Sequence, residues 1–231
     1  EDLRLGKREL VEDTARVLDR YLDCLVARVY SHDTLVKLAE SSGIPVLNAL
    51  SDLCHPMQAL ADLLTIWERF GRFKDVKIAY VGDGNNVCNS LLVGCSKLGI
   101  DIAIACPEGY EPNPRFLEWA RVNIAKSGSE VKVLRDPFEV VRDADVIYTD
   151  VFVSMGFESE KEERLNTFLP KYEVTPRLMK FTGKHSYFMH PLPCHRGEEV
   201  DGAVIDGPQS LVWDQAENRL YTAEAILMAL I

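Results

Sequence analysis

At 231 residues the chain is long enough for one large or two modest domains, and 47% apolar with 27% charged residues is the balance of an ordinary globular protein with its own core. A formal net charge of −10 excludes the basic footprint that nucleic acid or an anionic membrane surface requires, but leaves room for a local cationic pocket around a small phosphate. Six cysteines (Cys24, Cys54, Cys88, Cys95, Cys106 and Cys194) form no CxxC pair and no secreted framework, so they read as reduced thiols of a cytoplasmic protein. No apolar run approaches the roughly 20 residues of a membrane span.

The first residues, Glu1 to Lys7, do not form a signal peptide, and the missing initiator Met implies a processed or truncated chain. Val11 to Val29 reads as a helix running into a short strand, Leu25 to Val29, with Arg28 near its end. Thr34 to Ala39 is expected as a short helix and Ile44 to Ala49 as a strand. A long helix follows from Pro56, tolerated in a first turn, to Phe70, with Gly71 as its stop signal. Strands are then expected at Lys77 to Val81, Ile100 to Ala105, Val131 to Leu134 and Val146 to Thr149. Helices at Asn85 to Leu98 and Arg115 to Ser127, with a helical turn at Pro137 to Val141, separate them. Tyr187 to Met189 and Ala203 to Ile205 read as later strands, and Gln215 to Ile231 as a closing amphipathic helix. Alternating strands and helices imply right-handed βαβ units and a mostly parallel α/β sheet, with the 56–70 helix as hinge between a small N-terminal part and a fuller doubly wound domain.

Gly82-Asp83-Gly84-Asn85-Asn86-Val87 occupies the place of a dinucleotide fingerprint. Val87 replaces its third glycine, the next strand ends Ala105-Cys106-Pro107 without an acid for a ribose, and Asp83 would repel a pyrophosphate. A nicotinamide enzyme is therefore a distant alternative. The string reads either as a tight turn or as a polar ligand site at the carboxyl end of a strand.

Four further strings carry candidate chemistry. His55-Pro56-Met57-Gln58 opens a helix whose free N–H groups suit an anion, although a capping His and a solvated Gln fit as well. Asp150 to Gly156 follows a buried strand, where Asp150 could hold an ammonium and Ser154 a carboxylate or amine. His190-Pro191-Leu192-Pro193 is a rigid turn that frees carbonyls as acceptors and allows a cis peptide. Cys194 and His195 beside it lack a ligand cluster, so no metal is expected. Ala216-Glu217-Asn218-Arg219 opens the last helix with a guanidinium that, like Arg28, could fork onto an oxyanion or make a surface ion pair.

In this order, with Glu12 to Leu18, Ala27 to Tyr30, Leu50 to Asp52, Gln58 to Asp62, Gly82 to Asn86, Ser154-Met155-Gly156 and Arg196 to Val200, these strings resemble the ornithine carbamoyltransferases over nearly the whole chain. The resemblance implies two doubly wound parallel-sheet domains joined by a long helix, the first incomplete, in a homotrimer with substrates in the cleft. It divides the chain into a carbamoyl phosphate domain, 1–68 completed by the C-terminal helix 214–231, and an amino-acid domain, 69–213. It implies carbamoyl phosphate on Arg28, His55, Gln58 and Arg219, a carbamoyl contact at the Leu192 carbonyl, and ornithine on Asn86, Asp150, Ser154 and Met155. No cofactor is implied. The product would be citrulline, in arginine biosynthesis. Two departures bear on activity. The family's phosphate-binding Ser-Thr-Arg-Thr string would precede the first residue of this chain. Pro191 stands where ornithine enzymes carry Cys, a feature of the aspartate enzymes, which leaves an altered-acceptor or non-catalytic ligand-binding homologue as the alternative.

Overall fold

The computed structural model describes residues 9–154 and 156–231. In chain order its elements begin α1 (Val11–Leu18), β1 (Leu25–Arg28), α2 (His32–Ser41), β2 (Val46–Leu50) and α3 (Pro56–Phe70). Next come β3 (Lys77–Val81), α4 (Asn86–Leu98), β4 (Asp101–Ala105), α5 (Pro114–Ser127), β5 (Val131–Leu134), α6 (Pro137–Val140) and β6 (Val146–Tyr148). A 3-10 turn at Glu158–Glu160 leads into α7 (Lys161–Phe168), α8 (Pro176–Lys180), β7 (Tyr187–Met189), α9 (Gly202–Ile205) and α10 (Val212–Leu230).

Two parallel-sheet α/β units result, joined by α3. In the smaller, β1 pairs with β2, and Val11, Ala15 and Leu38 from α1 and α2 pack on Leu25, Ala27 and Val46. In the larger, all strands are parallel in the order β5-β4-β3-β6-β7. Because side chains alternate across a strand, Ile78 and Tyr80 of β3 fill one face with Ile102, Ile104, Val146 and Tyr148. Ala79 and Val81 fill the other with Ala103, Ala105, Ile147 and Phe188. The first face is covered by residues of α3, α4 and α5, including Ile66, Leu91, Leu92 and Phe116. The second is covered by Phe168, Leu178, Val204 and Ile205. A sheet buried on both faces is the doubly wound arrangement.

Helix α3 starts with Pro56 and ends at Gly71, which takes φ +65, a left-handed stop that glycine adopts without penalty. Helix α10 packs along α3 and so returns the end of the chain to the junction between the units. One expected strand is absent: Ala203 to Ile205 lies in α9. Asp201 accepts from the Ala203 N–H at 2.7 Å, and this cap turns a three-residue apolar run, too short to carry a period, into a helical turn.

The turn after β3 packs tightly. The Gly84 N–H donates to the Tyr110 carbonyl at 2.8 Å, and a Cβ on Gly84 would lie 2.3 Å from the Pro112 backbone nitrogen. Backbone cannot move aside as a flexible side chain can. Gly84→Ala is expected to destabilise the protein by about 1–3 kcal/mol, read as a lower midpoint in urea unfolding. An unchanged midpoint would mean that the 110–112 loop yields freely.

Candidate active site

A cavity of about 690 Å³ opens between the small unit and the carboxyl ends of β3 and β6, the crevice where open α/β sheets bind ligands. Arg28, His55, Asn86, Asp150, Ser154, Pro191, Leu192 and Arg219 all line it. The structure thus brings together eight side chains drawn from positions 28 to 219. Gln58 stands elsewhere. It is 1% exposed inside the α3–α10 interface and reaches the cavity only through Arg219. Met155 lies outside the described residues.

One wall is cationic. Arg28 ends β1, His55 precedes α3, and Arg219 projects from α10. The His55 backbone N–H donates to Ser90 Oγ at 2.8 Å, and this fixes the start of the helix. His55 Nδ1 and Arg219 Nε are buried without a partner among the described residues, an expensive condition that a ligand oxygen would relieve. Arg219 Nη1 donates to Gln58 Oε1 at 2.6 Å. Burial, followed by the Arg219 and Arg28 guanidiniums, pushes His55 down to about 3, so its ring is neutral at physiological pH. Its folded value lies below that of a free imidazole, so the unfolded chain binds the extra proton first. Stability from this group is full above about 6.5 and falls as pH drops toward 3. His55→Gln is expected to flatten that part of the acid limb in urea melts between pH 7 and 4.5. A variant curve parallel to the wild type would contradict the assignment.

The facing wall is polar and anionic. Asn85 caps α4, accepting from the N–H groups of Val87 at 3.0 Å and Cys88 at 3.1 Å. Its Nδ2 donates to Asp150 Oδ2 at 2.7 Å and Ser154 Oγ at 3.3 Å, tying the helix start to the loop after β6. Burial raises the Asp150 carboxyl above its ordinary value. Asn86 Nδ2 donates to the Ser51 carbonyl at 2.7 Å, so this residue bridges the two units. Tyr30 of the small unit meets Gly156 closely enough that a Cβ there would lie 2.4 Å from its ring.

Between the walls runs the 190–193 turn. The Leu192–Pro193 bond is cis, and Leu192 takes φ +51. The Leu192 N–H donates to His190 Nδ1 at 2.9 Å, and His190 Nε2 lies 3.2 Å from Glu199 Oε1. His195, Glu198 and Glu199 place ligand atoms within 4.8 Å of one another. There Glu198 pairs with Lys161 at 3.3 Å, and Glu199 Oε1 accepts from the His195 N–H at 2.5 Å.

Several site residues escaped sequence reasoning. Asn85, which holds Asp150, is one of them, and its position between the strand turn and the helix is a cap signal that points to it. Asp83 and Arg164 form a buried ion pair at 2.8 Å beside the cavity, but 81 residues separate them and no local pattern links them.

A cationic recess thus faces a polar, anionic cluster across the crevice of an α/β sheet. Family models described as the carbamoyl-P binding domain and the Asp/Orn binding domain of aspartate/ornithine carbamoyltransferase match residues 1–68 and 74–230, and the chain belongs to that family. An ornithine carbamoyltransferase of Pyrococcus horikoshii is 53% identical over 231 residues, spanning 100% of this chain and 73% of its own length. That of Bacillus subtilis is 51% identical over 230 residues, spanning 100% and 72%. The solved ornithine carbamoyltransferase of Pyrococcus furiosus superposes with a TM-score of 0.94 at 53% identity, covering 98% of this chain and 72% of that one. An N-acetyl-L-ornithine transcarbamylase is also similar, with a TM-score of 0.86 at 30% identity, covering 96% and 72%.

Proposed function

We propose that the protein transfers the carbamoyl group of carbamoyl phosphate to the δ-amine of L-ornithine, giving citrulline and phosphate. The observation that carries this reading is the placement of Arg28, His55 and Arg219 on one wall of a single cavity, with Asp150 and Ser154 on the other. The division into a carbamoyl phosphate domain, 1–68 with 214–231, and an amino-acid domain, 69–213, is part of the proposal. It is supported by the packing of α10 on α3 and by the two family matches.

In this reading Arg28 and Arg219 hold the phosphoryl and carbonyl oxygens, and neutral His55 donates a hydrogen bond to the carbonyl oxygen as charge develops there. Gln58 serves through Arg219. The Leu192 carbonyl accepts from the carbamoyl amide nitrogen, with Pro191 beside it. Asp150 pairs with the α-ammonium of ornithine, while Asn85, Asn86, Ser154 and Met155 complete the amino-acid end. The δ-amine must be neutral to attack. Holding both substrates in one cavity removes the encounter entropy of the uncatalysed reaction.

The reading extends to a homotrimer in the cytoplasm serving arginine biosynthesis. The biosynthetic part is supported by the "anabolic" name of the Pyrococcus furiosus relative, and the compartment by six cysteines without a disulfide among the described residues. No described helix is long and apolar enough to cross a membrane. A second reading, an altered acceptor, is favoured by Pro191 and by the N-acetyl-L-ornithine relative. Colorimetric assay of the natural full-length chain with carbamoyl phosphate decides between them. Citrulline from ornithine supports the first reading, product only from N-acetyl-ornithine supports the second, and no product from either rejects both.

A further inference from the structure

Asp62 has no exposure to solvent and does not line the cavity, yet it connects to the cationic wall and to the 190–193 turn. It sits one turn after Gln58 on α3, facing Gln215 and Arg219, which are one turn apart on α10. Gln58 Nε2 donates to Asp62 Oδ1 at 2.8 Å, and Gln215 Nε2 donates to the same oxygen at 2.7 Å. The Tyr148 hydroxyl donates to Asp62 Oδ2 at 3.0 Å. Each glutamine therefore presents its oxygen away from Asp62. Gln58 Oε1 accepts from Arg219 Nη1 at 2.6 Å, and Gln215 Oε1 accepts from the His190 backbone N–H at 2.9 Å.

An amide side chain is nearly the same shape in its two flipped orientations, so hydrogen-bond partners alone decide which end faces where. A carboxylate only accepts. Two amides converging on one carboxylate oxygen must both point their NH2 groups inward, and their carbonyl oxygens are thereby committed outward. If Gln58 flipped, it would turn a donor toward a guanidinium that has only donors. If Gln215 flipped, it would turn a donor toward a backbone N–H.

We propose that Asp62 is a positioning residue for the transfer reaction: its one oxygen sets the orientation of Gln58 and Gln215, and through them holds Arg219 on the cationic wall and His190 at the head of the 190–193 turn. Asp62 thereby registers the two halves of the site against each other from inside the α3–α10 interface. The roles of Arg219 and the turn rest on the transferase reading above. The hydrogen-bond circuit stands apart from it.

The test compares Asp62→Ala and Asp62→Asn in the natural full-length chain, with melting temperatures recorded and kinetics run well below them. Asp62→Asn keeps an oxygen for both glutamines and turns its amide nitrogen to the Tyr148 hydroxyl, which can accept. It is expected to stay within about three-fold of wild type in kcat, in KM for carbamoyl phosphate and in affinity for inorganic phosphate. Asp62→Ala removes the acceptor. It is expected to weaken phosphate binding and to raise KM for carbamoyl phosphate about ten-fold or more, with a similar fall in kcat. A folded Ala variant with wild-type constants overturns the proposal, as does an Asn variant as impaired as Ala. If the Ala variant does not fold, Gln215→Leu isolates one arm. It should lower kcat about ten-fold while KM for carbamoyl phosphate stays within about three-fold, and equal changes in both, or in neither, overturn the proposal. The wild type runs alongside. If it makes no citrulline, the transferase reading fails, and phosphate affinity measured by calorimetry still decides the role of Asp62.

Discussion

Arg219→Lys is expected to lower kcat/KM for carbamoyl phosphate by about 10³-fold while the protein remains folded. The guanidinium divides its donors: Nη1 goes to Gln58 Oε1, and the buried Nε is left without a partner among the described residues. A lysine keeps the charge but offers a single point of attachment on a flexible stem. It cannot satisfy Gln58 and fork onto a ligand oxygen together. Losing two charge-assisted hydrogen bonds, each worth about 1.5–3 kcal/mol, accounts for a change of this size. Initial rates over a carbamoyl phosphate series measure it. A change below about three-fold would remove Arg219 from the anion-binding role of the cationic wall. Ornithine affinity should change far less, because Asp150 and Ser154 belong to the opposite wall.

Arg164→Met is expected to cost about 3–5 kcal/mol of stability, the largest loss foreseen from one surface-proximal substitution. The Arg164 side chain is 7% exposed and its partner Asp83 11%. Besides Asp83, it donates to Glu160 at 3.0 Å and to the Phe152 carbonyl at 3.2 Å. Its guanidinium carbon lies 4.1 Å from the Phe157 ring centroid and 5.2 Å from that of Tyr110. Methionine restores the packing but leaves Asp83 buried without a counter-charge. Burial already lifts the Asp83 carboxyl to about 6, against the pull of Arg164. Without Arg164 it rises further. A carboxyl raised above its unfolded value is least costly when protonated, so the variant should lose more stability at pH 8 than at pH 5.5. Urea unfolding at the two pH values measures this. Asp83→Asn in the same background should recover part of the loss, and strict additivity of the two substitutions would show that they do not interact.

The legible parts of the fold carried strong local signals. Pro56 and Gly71 bracket α3, and the strand–Gly–Asp–Gly–Asn order gives β3, its turn and α4 without any tertiary information. Helix α7 carried none: half of its eight residues are charged, and its buried residues are Arg164 and Phe168, one cation beside one apolar side chain. Helical periodicity cannot show through such a pair, because the burial of Arg164 is decided by Asp83 far away in sequence. The candidate site was legible where a motif lies directly on the cavity, as at Arg28, His55 and Asp150. Gln58 resembled a ligand contact because it shares a string with His55. His55 lies before the helix with non-helical backbone and turns to the cavity, whereas Gln58 sits inside the first turn of α3 and packs against α10. The circuit through Asp62, Tyr148 and Gln215 could not be read at all, since it joins three elements across 153 positions.

The 190–193 turn also governs proton traffic. Since Leu192 donates to His190 Nδ1, the ring proton of His190 resides on Nε2 and is aimed at Glu199. That imidazole has no lone pair left for the incoming amine, and His55, at about 3, is too weak a base to take its place. In a transferase of this build neither ring ferries the amine's surplus proton. The ammonium proton must be shed to water before attack, the second proton, freed as the C–N bond forms, leaves with the phosphate, and turnover climbs with the share of nucleophile that arrives uncharged.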